Sequence, residues 1–246
     1  MTARGAPTTA MVLAAGLGTR LRPLTLDRPK ALVTVGGRAL IDHMLDRLAD
    51  AGVRRVVVNV HAFADALERH VLGRRDLEVL ISDERAEPLE TAGGLKAARP
   101  LLGDAPILVT NIDSVWIEAG GPALDALMNA WDPARMDDLL MLAPLTRSLG
   151  FDGPGDFFLA PDGALTHRGQ AASAPLAYMG VHLMKPALID AWPAAAHGIL
   201  PHWLEMSTRG RLHGVTLDGF WMHVGDPAAH AAAEAHLATL ALAAAP

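Results

Sequence analysis

Short, nearly continuous apolar runs recur along the chain at Ala10–Leu13, Arg54–Val60, Leu77–Ile81, Ile107–Thr110, Leu139–Ala143 and Ala177–Leu183. Runs such as Val56-Val57-Val58 lack polar alternation, which predicts strands covered on both faces. Between the runs the period lengthens. Ile41, Met44, Leu45 and Leu48 recur at i, i+3, i+4 and i+7, predicting a helix from Leu40 that Gly52 ends in a left-handed conformation. A second helix is predicted over Ala64–Leu72, and a third from near Gly93 to just before Pro100. Strand and helix alternating in this way predict a doubly wound, mainly parallel, Rossmann-like α/β sheet, with ligands beyond the carboxyl ends of its strands.

From Leu145 to Pro175 the pattern dissolves into Gly, Pro, Asp and Ser, with Gly153-Pro154-Gly155-Asp156 and Pro161-Asp162-Gly163 marking turns. We expect a small hairpin excursion there that walls the ligand cleft. From Pro227 onward the chain is alanine-rich and helical, with Asp226 as its N-cap and Pro227 in the first position. No repeat or domain-separating linker interrupts the pattern, so residues 10–246 are expected to form one domain behind an unstructured segment over 1–9.

With 246 residues and 51% hydrophobic content, the chain can bury a full core. Net charge is −6, from 21 basic and 27 acidic residues, which argues against nucleic-acid or membrane-surface partners; any anion binding must be local. Cysteine is absent, so disulfides and thiolate metal sites are excluded and metals would need Asp, Glu or His. The opening MTARGAPTT lacks the apolar run of a signal peptide, and a cytoplasmic protein, monomeric or a small homo-oligomer, is expected.

The predicted first strand runs into Leu13-Ala14-Ala15-Gly16-Leu17-Gly18-Thr19-Arg20-Leu21-Arg22-Pro23-Leu24-Thr25, followed by Pro29-Lys30-Ala31-Leu32. The glycines let bare N–H groups approach an anion, and Arg20, Arg22 and Lys30 follow at set distances. The segment lacks the Gly-Lys-Ser/Thr ending of a P-loop, and Leu21 stands where a dinucleotide fingerprint would have its third small residue. It does resemble the signature of sugar-phosphate nucleotidyltransferases. The resemblance implies that Leu13 to Arg20 cradle a nucleoside triphosphate, that Arg20 offsets charge on the leaving pyrophosphate, and that Lys30 reaches the α-phosphate.

Three further segments match in register. Pro88-Leu89-Glu90-Thr91-Ala92-Gly93-Gly94 follows the third apolar run and resembles the family's second nucleotide-binding segment, implying nucleotide contacts from Glu90, Thr91 and Gly93, with the helix start favouring anions. Its Leu-Glu-Thr-x-Gly-Gly form is similar in particular to the uridylyltransferases acting on N-acetylmuramate 1-phosphate. Asn111-Ile112-Asp113 stands where the family shows Asn-Gly-Asp, so Asp113 becomes the first Mg²⁺ ligand, a carboxylate suited to a cation shared with phosphates. Gly219 to Pro227 aligns with Gly-x-Trp-x-Asp-x-Gly-Thr-Pro, which sets His223 where the family has a second metal-binding Asp. Imidazole suits Mn²⁺ better than Mg²⁺. Asp226 either restores the missing carboxylate or caps the helix, and His223 is either a ligand or a hydrogen-bonding cleft residue. Gly155-Asp156-Phe157 and Tyr178-Met179-Gly180 resemble sugar-pocket segments, adding Asn111, Asp156, Tyr178 and Gly180 as acceptor contacts.

The resemblance implies transfer of a nucleoside monophosphate from a triphosphate to a sugar 1-phosphate with release of pyrophosphate, assisted by Mg²⁺ or Mn²⁺. UTP and N-acetylmuramate 1-phosphate are the favoured pair, for cell-wall recycling. The alternatives are a GTP-dependent mannose- or heptose-1-phosphate guanylyltransferase and a nucleotide-sugar sensor without turnover. His61, His182, His202 and His213 show no metal-ligand spacing, and Trp192 and Trp203 read as packing residues.

Overall fold

The computed structural model describes residues 7–243. In chain order they form β1 (Thr9–Leu13), β2 (Thr34–Val35), β3 (Arg38–Ala39), α1 (Leu40–Asp50), β4 (Arg55–Val60), α2 (Ala64–Val71), β5 (Glu78–Asp83), α3 (Glu90–Leu102), β6 (Ile107–Asn111), β7 (Ser114–Glu118), α4 (Ala123–Ala130), β8 (Asp138–Pro144), β9 (Ser148–Leu149), β10 (Phe157–Leu159), β11 (Leu165–His167), β12 (Leu176–Met184), α5 (Leu200–Thr208), β13 (Leu212–Thr216), β14 (Gly219–His223) and α6 (Pro227–Ala243).

β1 lies between β4 and β6, parallel to both, and β5 extends the sheet beyond β4 in the same sense. β12 runs antiparallel to β6 and β8, and β13 lies parallel to β8. The mainly parallel, doubly wound sheet read from the apolar runs is therefore the architecture. Alternate residues sort to its two faces. Val56, Val58 and Val60 pack with Ile41, Met44 and Leu45 of α1 and Leu67 of α2, whereas Met11 and Val57 pack with Leu95 of α3 and Trp203 of α5. A third cluster joins Leu21, Val33, Val35 and Leu40 to Val115, Met222, Val224 and Ala233, so that β7, β14 and α6 close over the chain that carries Lys30.

Several details differ from the sequence-based expectations. The part of the 1–9 segment over 1–6 lies outside the described residues, but Thr9 already belongs to β1 and the Thr8 carbonyl accepts from the N–H groups of Arg54 and Arg55. α3 begins at Glu90, not Gly93, and passes through Pro100 to Leu102. The proline falls in the last turn, where its missing N–H removes a single helix bond while Leu102 stays buried. The expected hairpin exists as β10 and β11, but it extends the edge of the central sheet through Phe157 opposite Leu176, and Ser207 Oγ of α5 donates to the Leu165 carbonyl. Gly52 does follow α1 at φ +89°. Asp226 does cap α6, its Oδ1 accepting from Ala229 N–H at 2.9 Å.

Candidate active site

A cavity of about 390 Å³ opens beyond the carboxyl ends of the parallel strands, lined by Leu13, Ala15 to Arg20, Lys30, Asn59, Glu84, Pro88 to Thr91, Asn111 to Asp113 and Gly225. Its first wall is the turn after β1. Gly18 takes φ +65°, and a Cβ there would stand 3.0 Å from Lys30 Cβ and 3.1 Å from Thr25 Cγ2. Only glycine fits that conformation in that space. Thr25 Oγ1 donates to the Gly18 carbonyl at 2.8 Å, folding the chain back so that the 3₁₀ turn Lys30–Leu32 lies beside the glycine turn. Arg20 lines the cavity with its side chain exposed and makes no hydrogen bond or ion pair among the described residues.

The opposite wall comes from β6 and the strand pair β7–β14. Opposing His223 to Ser114 in that pair and donating Val224 N–H to the Asp113 carbonyl brings His223 against Asp113, although 110 positions separate them. Lys30 Nζ donates to Asp113 Oδ2 at 2.7 Å, and His223 Nε2 lies 3.5 Å from the same oxygen. Burial by itself would raise the Asp113 carboxyl, but the adjacent His223 and Lys30 outweigh it and hold the group well below the usual carboxylate range. The other imidazole nitrogen, Nδ1, is 3.2 Å from the Gly150 carbonyl, which orients the ring.

The second nucleotide segment meets the first across the cavity. Glu90 adopts φ +58°, a left-handed conformation that costs a non-glycine residue, and is one of the residues lining the cavity. The first-turn N–H groups of Ala92 and Gly93 do not face the cavity as free donors; both donate to the His197 carbonyl. Gly93 packs under that segment instead, where a Cβ would lie 3.0 Å from the Ala195 carbonyl oxygen. Ala14 is likewise behind the wall, its N–H bonded to Asn59.

The remaining sequence candidates fall in two groups. Asn111 lines the cavity and abuts Gly180, where φ is +82° and a Cβ would be 3.0 Å from Asn111 Cβ. Asp156 accepts from Tyr178 N–H at 2.9 Å, and the Tyr178 ring stands edge-on to Trp203 at 4.7 Å. Neither Asp156 nor Tyr178 is among the cavity-lining residues, and nothing between 145 and 175 is. Burial, with the Asp138 and Asp113 charges, pushes the Tyr178 hydroxyl well above its ordinary value. Asp226 is occupied as the α6 cap, and among the described residues no three His, Asp or Glu side chains are arranged to hold a metal ion. Asp113, His223 and Asp226 therefore do not make a three-ligand set. What the site offers a cation is one hard carboxylate, Asp113, whose Oδ2 takes the Lys30 bond while no hydrogen bond among the described residues reaches Oδ1. That donor set fits Mg²⁺ shared with phosphate oxygens.

Two lining residues escaped the sequence reading. Asn59 and Glu84, each 3% exposed, stand behind the cavity at the ends of β4 and β5. A polar residue inside the run Val56-Val57-Val58-Asn59-Val60 was the available signal, since a buried amide needs partners.

Comparison with known proteins agrees with this arrangement. The chain is 55% identical over 237 residues to N-acetylmuramate alpha-1-phosphate uridylyltransferase of Caulobacter vibrioides, covering 95% of this chain and 98% of that one. It is 34% identical over 220 residues to the protein of the same name from Neisseria meningitidis, covering 88% and 92%. Inositol-1-phosphate CTP transferase from T. maritima shares the fold at a TM-score of 0.75 with 19% identity, covering 92% of each chain. Residues 9–138, which hold both glycine-bearing segments, Lys30 and Asp113, match the nucleotidyl transferase family, and the chain belongs to that family.

Proposed function

We propose that the protein transfers the uridylyl group of UTP to N-acetylmuramate 1-phosphate, forming the UDP-sugar and releasing pyrophosphate. One observation carries the chemistry: Lys30 Nζ and Asp113 Oδ2, 83 positions apart in sequence, meet at 2.7 Å in the cavity that the glycine turn borders. The substrate pair follows from the two relatives at 55% and 34% identity, whose names specify it.

The acceptor phosphate, with a second pKa of about 6, is largely dianionic near neutral pH and attacks without a general base. Catalysis then consists of positioning and charge neutralisation. Backbone N–H groups from Gly16 to Thr19 hold the triphosphate, Arg20 neutralises the departing pyrophosphate, and Lys30 leaves Asp113 to meet the α-phosphate. Asp113 holds a divalent cation, Mg²⁺ or Mn²⁺, which when bound supplies charge neutralisation to the phosphates. Glu90 and Thr91 face the nucleoside, and Asn111 beside Gly180 faces the acceptor, with Asp156 and Tyr178 shaping the wall behind. Residues 9–243 act as one domain, and a UTP donor fits work in the cytoplasm.

Pyrophosphate release across the four nucleoside triphosphates, each with a panel of sugar 1-phosphates, tests this. Fastest turnover is expected with UTP and N-acetylmuramate 1-phosphate. Faster use of GTP with a mannose or heptose 1-phosphate overturns the substrate assignment. Tight UTP binding without pyrophosphate release for any acceptor makes the protein a sensor.

A further inference from the structure

We infer that Asn59 and Glu84 are positioning residues: a buried hydrogen-bond relay of fixed polarity that holds the triphosphate turn and the Leu89–Gly94 segment in register. This rests on the nucleotidyl transfer proposed above and adds to it the device that joins the two halves of the nucleotide site.

The relay is complete in the structure. Asn59 Oδ1 accepts from the consecutive N–H groups of Ala14, at 2.6 Å, and Ala15, at 3.2 Å. Asn59 Nδ2 donates to Glu84 Oε1 at 2.8 Å, and Glu84 Oε2 accepts from Leu89 N–H at 3.2 Å. It therefore starts at the turn after β1 and ends at the residue before Glu90. Space for it is reserved at Gly94, where a Cβ would stand 2.8 Å from Glu84 Oε1 and 3.1 Å from Asn59 Nδ2.

Its chemistry demands one arrangement. Donors arrive from the backbone at both ends, so the two side chains between them must supply acceptors outward and a single donor inward. An amide followed by a carboxylate does this. With Glu84→Gln, the new amide must turn its NH₂ toward either Asn59 Nδ2 or Leu89 N–H, donor against donor in a closed space. With Asn59→Asp, two carboxylates face one another. The combined swap N59D/E84Q restores the pattern: the new aspartate accepts from Ala14 and Ala15 and from the new amide, whose oxygen accepts from Leu89 N–H. It also keeps the total charge of the pair.

The test measures KM for UTP, KM for N-acetylmuramate 1-phosphate and kcat well below each variant's unfolding midpoint, together with calorimetric UTP affinity. E84Q and N59D are expected to raise KM for UTP about tenfold and lower kcat about tenfold, because a displacement near 1 Å at a reacting centre is costly, while KM for the sugar phosphate stays within about twofold. The swap is expected to return UTP affinity and KM to within about threefold of wild type. Folded single variants with wild-type KM for UTP overturn the inference, even where their unfolding midpoints fall, as does a folded swap no better than either single change. Should the single variants fail to fold, the swap decides: recovery of folding and UTP affinity supports the relay, and an unfolded swap overturns it. Wild-type protein that binds UTP but releases no pyrophosphate would instead overturn the functional reading, leaving the affinity comparison to judge the relay.

Discussion

Asp113 and Asp138 are both carboxylates at strand ends, one partly exposed and one buried, and they sit in opposite kinds of environment. Asp113 follows the carboxyl end of β6, keeps 18% of its side chain exposed, and holds the ammonium of Lys30 at the end of its four-carbon stem. Asp138 opens β8 and is fully buried, accepting from His182 Nδ1 at 2.7 Å and Trp203 Nε1 at 2.8 Å. The partners of Asp138 are rings fixed by packing, with Trp203 also edge-on to His182 at 5.5 Å. A lysine on a flexible stem can transfer its bond to an arriving phosphate; an indole locked in a core cannot. One carboxylate is arranged for exchange of partners and the other for permanence.

The comparison breaks first at Asp138. Asp138→Ala leaves two buried N–H donors without an acceptor and is expected to cost about 3–5 kcal/mol of stability, read by denaturant unfolding, while kcat of the folded fraction stays near wild type. A stable, inactive variant would show that Asp138 serves catalysis. Next in size, Lys30→Ala is expected to reduce turnover about a hundredfold, roughly 3 kcal/mol of transition-state stabilisation, with the fold retained at some cost in stability because Asp113 loses a partner. Near-normal turnover of the folded variant would remove Lys30 from the α-phosphate.

How far these contrasts could be read from the chain depends on the kind of signal. The central strands were legible because burial on both faces leaves continuous apolar runs, as in Val56-Val57-Val58. The glycine turn and Pro29-Lys30 were legible because backbone conformation and fixed charge impose residue identity. The Lys30–Asp113 contact itself was not, since its distance depends on how β1 and β6 pair. β7, β13 and β14 were missed: Leu212-His213-Gly214-Val215-Thr216 mixes polar and small residues, and its strand conformation comes from pairing with β8. The bond from Ala92 and Gly93 to the His197 carbonyl left no trace at all, because every residue has a carbonyl.

Smaller effects sharpen the exchange side of the comparison. His223→Asp, which adds an oxygen donor beside Asp113, is expected to lower the Mg²⁺ concentration for half-maximal activity by up to about tenfold. Asp226→Ala in parallel is expected to leave that concentration unchanged and to cost about 1 kcal/mol through loss of the α6 cap. Identical metal titrations for wild type and His223→Asp would mean that His223 lies outside the cation's reach. Smallest of all, Glu90→Gly relieves a left-handed backbone and is expected to stabilise the fold by about 0.5–1 kcal/mol while weakening UTP binding. A variant with unchanged UTP affinity by calorimetry would show that the strain at Glu90 serves no nucleotide contact.

The His197 carbonyl over the start of α3 has a consequence for motion. First-turn amides of a helix have no partner within the helix and would exchange their protons with solvent readily. Those of Ala92 and Gly93 are held by a carbonyl on a different stretch of chain. Their exchange is therefore gated by departure of the segment around His197 and not by fraying of α3, and these two amides report how firmly that segment is held against the helix.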